Sequence, residues 1–286
     1  MSRSSRLYYY TILGALGGVI GGRLVDMVGY LNQPSVYLSD LVLGATLGLG
    51  VGFMIGATEG FISRSLIRGL RAALISGMIG LLAGAIALPL GELVFLTVGG
   101  GLFGRILGWA IFGAIIGLAH SLTGGTQAWK GALGGLIGGS AGGLLLEAAF
   151  QRFENPLMGK VAGLLMIGAS VGAFTALILV TLSRAWIEVR TGKLKGTEFI
   201  LDKFIGENSP AAIIGSNVLK SDIALPDPDV APQHARLKGS GTHFTIQDMS
   251  LKMGTFVNGH KAEIQRLSDN QVIKMGTTEL VYHERR

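Results

Sequence analysis

Six apolar runs occupy the N-terminal part of the chain, at residues 8–29, 38–62, 72–95, 103–121, 131–150 and 159–183. Each is long enough to cross a hydrocarbon layer of about 30 Å. After Ser183 the periodicity changes. Apolar and polar residues then alternate over short stretches broken by Gly, Pro, Asn and Asp, the pattern of a many-stranded sheet. Strands are expected at 185–189, 198–201, 211–214, 223–225, 235–237, 243–247, 255–257, 262–264, 271–274 and 279–283, enough for a β-sandwich. The expected fold class is an α-helical membrane bundle, residues 1–184, followed by an all-β sandwich, residues 185–286. The first run meets Arg23 and Asp26 without a small-residue cleavage motif, so it reads as a retained helix.

Glycine separates the two parts further, since 37 of the 46 glycines fall within residues 1–185. The segment Gly14–Gly22 recurs as Gly131–Gly139 with one difference in nine positions, so Gly14, Gly18 and Gly22 correspond to Gly131, Gly135 and Gly139. The even runs carry a second echo in Gly52 and Gly56, Gly113 and Gly117, and Gly168 and Gly172. These repeats predict three parallel hairpins of Gly-rich helices, the third and fourth runs being joined by the tight turn Gly99-Gly100-Gly101. Glycines four apart make a groove in which helix backbones approach closely. Such grooves serve packing within one chain, contact between chains in a homo-oligomer, or a pore lined by small residues.

The chain is 49% hydrophobic and only 15% charged, and its mean hydropathy is +0.51. Residues 1–184 hold 11 Lys/Arg against 6 Asp/Glu, whereas residues 185–286 are nearly balanced at 13 against 12. The basic pI of about 9.7 thus belongs to the loops of the membrane part, which argues for orientation in a bilayer and against a nucleic-acid partner. One side collects ten basic residues: Arg3, Arg6, Arg64, Arg68, Arg71, Lys130, Arg184, Arg190, Lys193 and Lys195. The other holds Arg105, Arg152 and Lys160. Both termini are therefore expected on the cytoplasmic side of a cell membrane, plasma or inner.

The candidate chemistry is sparse. Each outbound helix ends in an acid, Asp26, Glu92 or Glu147, at a similar expected depth and with Arg23 available to pair with one of them. Such a group either binds a cation or gates a path, or simply reaches the interface. The absence of cysteine excludes disulfides and thiol catalysis. His120, His234, His243, His260 and His283 lack metal-ligand spacing. No glycine run has the phosphate-loop form, and no nucleophile stands in a pattern with a base. No metal, cofactor or enzyme activity is expected.

Beyond Ser183 the residues Ile213-Ile-Gly-Ser216, Ser221-Asp-Ile-Ala-Leu225, Val230-Ala-Pro-Gln-His-Ala-Arg236, Phe244-Thr-Ile-Gln-Asp248 and Gly254-Thr-Phe-Val-Asn-Gly259 follow one another, then Leu267 to Gly276. In this order they resemble the forkhead-associated domain over residues 185–286. The resemblance implies an eleven-stranded sandwich whose apical loops bind phosphothreonine peptides. It also implies that Gly215, His234, Gly254, Thr255 and Gly259 are scaffold residues, with Asn258 bracing a loop. At the positions the family uses to donate to phosphate this chain has Ser216 for arginine, Ala231 for serine with Pro232 beside it, and Lys252-Met253 for a Thr-Asn pair. Lysine lacks the planar fork of arginine, so Lys252 restores one point charge at most. The residues expected to meet a partner are Ser216, Asn217, Ala231, Pro232, Gln233, Lys252, Met253 and Asn258. The expected function is phosphate-independent docking of a cytoplasmic protein or peptide by a membrane-anchored adaptor. The alternative is a small channel or transporter regulated by the sandwich.

Overall fold

A computed structural model describes residues 3–28, 35–63, 65–124, 127–206, 208–241, 243–250 and 253–285. Arg64 and Lys252 lie outside the described residues. The chain divides into two compact units, Ser4–Thr181 and Leu182–Arg286.

Among the described residues the first unit has six helices: α1 (Arg3–Val28), α2 (Val36–Ser63), α3 (Leu66–Thr97), α4 (Gly101–Gly124), α5 (Ala128–Arg152) and α6 (Pro156–Thr181). All six contain segments long and apolar enough to cross a membrane. Their starts follow from local hydrogen bonding. Ser35 Oγ accepts from Leu38 N at 3.2 Å, Ser65 Oγ from Arg68 N at 3.4 Å, and Asn155 Oδ1 from Leu157 N at 2.9 Å, each side chain satisfying a backbone donor that the first turn leaves open. Pro156 follows Asn155 at a first-turn position, where its missing N–H costs nothing. Between α3 and α4, Gly99, Gly100 and Gly101 all have positive φ, at 84°, 74° and 71°, a backbone that side chains with a Cβ adopt only at a cost.

The helices close into a ring. Neighbours along the chain pack against each other, and α1 returns to α6 where Gly14 meets Gly168 and Gly172 meets the backbone of Tyr10. Each even helix lays its glycine pair on the odd helix that follows in the ring: Gly52 and Gly56 on Ser76 and Ala72 of α3, Gly113 and Gly117 on Gly135 and Gly131 of α5, Gly168 and Gly172 on α1. A Cβ added at Gly14, Gly18, Gly52, Gly113, Gly117, Gly131, Gly135, Gly139, Gly168 or Gly172 would overlap a carbonyl oxygen of the facing helix. At Gly22 it would overlap the Leu164 side chain instead, and at Gly56 it would lie 2.7 Å from Ala72 O. Inside the ring the buried side chains of Leu47, Val51, Ile55, Phe112, Ile116 and Ile167 belong to one apolar cluster to which every helix contributes. On the outside of α3, Leu70, Leu74, Met78, Leu82 and Ile86 are exposed, a surface suited to lipid.

The second unit is a sandwich with eleven strands among the described residues: β1 (Ala185–Val189), β2 (Glu198–Ile200), β3 (Ala212–Gly215), β4 (Ile223–Ala224), β5 (Ala235–Gly239), β6 (Phe244–Asp248), β7 (Thr255–Val257), β8 (His260–Lys261), β9 (Ile264–Arg266), β10 (Val272–Met275) and β11 (Thr278–Glu284). One sheet has the order β2-β1-β11-β10-β7-β8 and the other β4-β3-β5-β6-β9. Alternation puts Ile187, Val189, Ile214, Leu237, Phe244, Ile246, Ile273, Leu280 and Tyr282 into the core. The first and last strands pair along their length, Ala185 opposite Glu284 and Val189 opposite Leu280.

One strand differs from expectation. The sequence pattern places a strand at 262–264, whereas the structure has β8 and β9 on either side of Ala262-Glu263. There the chain crosses from one sheet to the other: Ala262 N donates to Thr255 O at 2.8 Å and Glu263 O accepts from Asp248 N at 2.9 Å. Buried Ala262 closes the gap between the sheets, and alternation over three residues does not reveal such a change of sheet.

Candidate functional site at the apical loops

Three connections gather at one end of the sandwich: residues 216–222 between β3 and β4, 225–234 between β4 and β5, and 249–250 with 253–254 between β6 and β7. Their hub is His234, whose side chain is fully buried. Ala231 N donates to its Nδ1 at 3.0 Å, and its Nε2 lies 3.1 Å from Gly254 O. Because Nδ1 accepts, the ring proton sits on Nε2 and is donated to the Gly254 carbonyl. One neutral imidazole thus joins the second loop to the third. The backbone of His234 extends the tie, its N–H donating to Ile214 O and its carbonyl accepting from Met249 N, both at 2.8 Å.

Ser216 N donates to Ala231 O at 2.9 Å and Asn217 N to Pro232 O at 3.3 Å, binding the first loop to the second. A Cβ at Gly215 would overlap Pro232 O, so this close approach requires glycine. Asn217 Oδ1 accepts from Leu219 N and Lys220 N at 2.9 and 3.2 Å, and Gln233 Nε2 donates to Lys220 O at 3.3 Å. In the third loop Asp248 Oδ1 accepts from Ser250 N, Ser250 Oγ and Thr255 Oγ1, and Gly254, at φ 73°, donates to Ser250 Oγ at 2.7 Å.

Thus Ser216, Asn217, Ala231, Pro232, Gln233 and Met253 come together on adjoining loops. Asn258 does not join them. It lies with Gly259 in the turn at the other end of β7, where its Oδ1 accepts from Val272 N at 2.9 Å. The rim contains apolar residues that sequence reasoning passed over: Leu219 is 64% exposed and Met249 39%, beside Met253 at 54%. Met249 and Met253 have no apolar neighbour in sequence and Leu219 follows Val218 in a short loop, so no periodicity marks them.

Two carboxylates fasten this end. Asp227 Oδ2 accepts from Thr277 N, Thr277 Oγ1 and Thr278 Oγ1 at 3.0, 2.7 and 2.7 Å, and its Oδ1 accepts from Asp229 N. Burial works against its charge, but the Thr278 and Thr277 hydroxyls and the two N–H groups outweigh it and hold the carboxyl below its usual range. Asp248 behaves alike, burial being outweighed by Ser250 and Thr255. A depressed folded-state pKa means that folding favours the ionised form. The stability these groups contribute is therefore complete above the ordinary carboxylate value of 3.8 and declines as pH falls below it. Urea midpoints followed by Trp186 fluorescence are expected to drop from pH 6 to pH 3, and Asp227→Asn to flatten that drop.

In the helical unit each of the three acids meets residues of an even helix. Asp26 pairs with Lys160 of α6, and Glu147 with Arg105 of α4 at 2.7 Å. Glu92 lines a cleft of about 220 Å³ with Asp40, Arg105 and Trp109. Arg23 is exposed. The cause is the ring: α1, α3 and α5 are not neighbours, so each acid meets a cation or carboxylate of an even helix. A second polar group is internal. Tyr10 Oη and His120 Nε2 are 3.2 Å apart, Arg6, Thr58 and Lys130 are buried, and Glu59 lies in the field of Arg6 and Arg68.

A family model described as FHA domain matches residues 212–276. The chain carries an FHA domain. Among solved structures, the FHA domain of the CT664 protein from Chlamydia trachomatis is 31% identical, covering 36% of this chain and 100% of that one, with a TM-score of 0.33. The FHA domain of an Arabidopsis thaliana hypothetical protein is 20% identical over 36% of this chain and 87% of that one, TM-score 0.33. The cytoplasmic domain of PscD, a sorting platform protein of the P. aeruginosa T3SS, is 17% identical over 36% and 82%, TM-score 0.32. No curated protein matches the chain. The FHA domain is a protein-interaction module, and the family match leaves all six helices outside it.

Proposed function

We propose that this protein is a membrane-anchored adaptor whose FHA domain docks a cytoplasmic protein without requiring phosphate. FHA domains bind phosphopeptide partners, and a phosphate carries up to two negative charges. Charged hydrogen bonds contribute about 1.5 to 3 kcal/mol each, so loss of several donors removes that affinity. The carrying observation is the apical rim: Ala231 and Pro232 have no side-chain donor, Gln233 Nε2 donates to backbone, and Leu219, Met249 and Met253 are exposed. Apolar side chains among immobilised loops suit a protein surface better than a phosphate.

In this reading the helices, three repeated hairpins packed by glycine, anchor the domain in a plasma or inner membrane with both termini cytoplasmic. The basic-residue count supports that orientation. Transport by the bundle is a second reading, supported by the cleft at Asp40, Glu92 and Arg105. Against it stands the ring's interior, occupied by Leu47, Ile55, Phe112 and Ile167.

The test is co-purification from native membranes of the full chain and of a chain ending at Ser183, each with and without phosphatase. A partner is expected with the full chain only, at equal yield in both treatments. A partner lost on phosphatase treatment would refute phosphate independence, and no partner in any arm would refute the adaptor.

A further inference from the structure

The two outward faces of the sandwich differ in charge. On the five-stranded sheet, Arg236 and Lys238 of β5 and Arg266 of β9 point outward, with Ile213 and Ile264. No Asp or Glu occupies an outward position of these strands, and none of the three cations pairs with a carboxylate among the described residues. The opposite sheet presents Glu188 of β1 directly across from Glu198 of β2, and Glu279 of β11 across from Lys274 of β10, with Lys261 of β8 also exposed. The five-stranded sheet thus presents cations without carboxylates, whereas the six-stranded sheet mixes both signs, in a domain whose overall charge is nearly balanced.

The strands fix the spacing. Lys238, Thr245 and Arg266 form one row across β5, β6 and β9, and Arg236, Gln247 and Ile264 form the next. Arg236 and Lys238 leave β5 about 7 Å apart, and Lys238 and Arg266 stand two strand spacings, about 10 Å, apart. An extended chain repeats alternate side chains at the same interval of about 7 Å. Ile264, 68% exposed, adds an apolar contact at the border. β9 is an edge strand, so one side of its backbone is open to a further strand.

We infer that this face is the docking surface for an extended acidic peptide segment with carboxylates at alternate positions. The inference rests on the reading of the domain as a docking module and names the chemistry of its partner. A lipid surface fits less well, since recognition of anionic headgroups takes clusters of about four to eight Lys/Arg and this face has three.

The test uses the full chain in nanodiscs of neutral lipid and a fluorescein-labelled peptide of alternating Glu and Ala, with a Lys-Ala peptide as control. Fluorescence anisotropy is expected to show saturable binding of the Glu peptide alone, weakening as salt screens the charges. The triple charge reversal R236E/K238E/R266E is expected to lose about tenfold or more in affinity, as three exposed ion pairs allow. The neutral set R236Q/K238Q/R266Q is expected to lose less, and guards against misfolding of the reversal. No saturable binding, or equal binding by wild type and both variants, would overturn the inference and leave the cations a solubility device. Capture of phosphatidylserine vesicles without peptide binding would overturn it in favour of lipid. If the peptide fails while the full chain still retains a domain-dependent partner, only this inference falls and the adaptor reading stands.

Discussion

Gly135→Leu is expected to prevent the helical unit from assembling. Gly135 faces Gly113 across the α4–α5 contact, with the Cα of Gly117 only 3.1 Å from where a Cβ would stand. Every atom near that point is backbone, so no rotamer change makes room and the helices must separate. Overpacking in a well-packed core costs about 1 to 3 kcal/mol where side chains can give way. Here about 3 kcal/mol is a lower bound, because separation also forfeits the contacts of Gly131 and Gly139 in the same groove. The measurement is thermal unfolding in detergent, with Leu136→Ala as the comparison. Leu136 is one position along the same helix but 46% exposed, and its truncation is expected to leave the transition almost unmoved. A Gly135→Leu protein as stable as wild type would contradict the backbone packing described for this pair.

His234→Ala carries the second large effect, in the FHA domain. The substitution leaves the Ala231 N–H and the Gly254 carbonyl without their partner at a fully buried site. Each unsatisfied group costs about 1 to 3 kcal/mol, and the vacated volume adds to that. A loss of about 3 to 5 kcal/mol is expected, a large part of the 5 to 15 kcal/mol typical of a domain. Residues 182–286 contain Trp186 as their sole tryptophan, so urea unfolding of that segment reports the change directly. An unchanged midpoint would mean that the loops hold one another without the imidazole.

The sequence carries the helical unit through glycine spacing and apolar length, since both properties act locally along one helix. Strand alternation gives most of the sandwich for the same reason. It fails at Ala262-Glu263, where a change of sheet occupies two residues and leaves no period to read. Ion pairing was less legible still. Asp26 with Lys160, and Arg105 with Glu147, join residues 134 and 42 apart, a pairing that depends on which helices are neighbours. The apical loops show the same division: His234 stands within a recognisable run of residues, while Leu219 and Met249 take their meaning from loops brought together by folding.

The odd helices α1 and α5 carry glycine on two sides. On α5, Gly131, Gly135 and Gly139 meet α4, while Gly134, Gly138 and Gly142 meet α6; on α1, Gly14 and Gly18 meet α6, while Gly17 and Gly21 meet α2. Carbonyl oxygens of both neighbours are therefore seated in successive notches along the same shaft. To slide along its axis by a fraction of a turn, such a helix would have to lift itself over a row of Cα atoms on both flanks at once. The bundle is consequently stiff against piston-like displacement, and any movement of these helices is restricted to tilting together with the neighbours they mesh with.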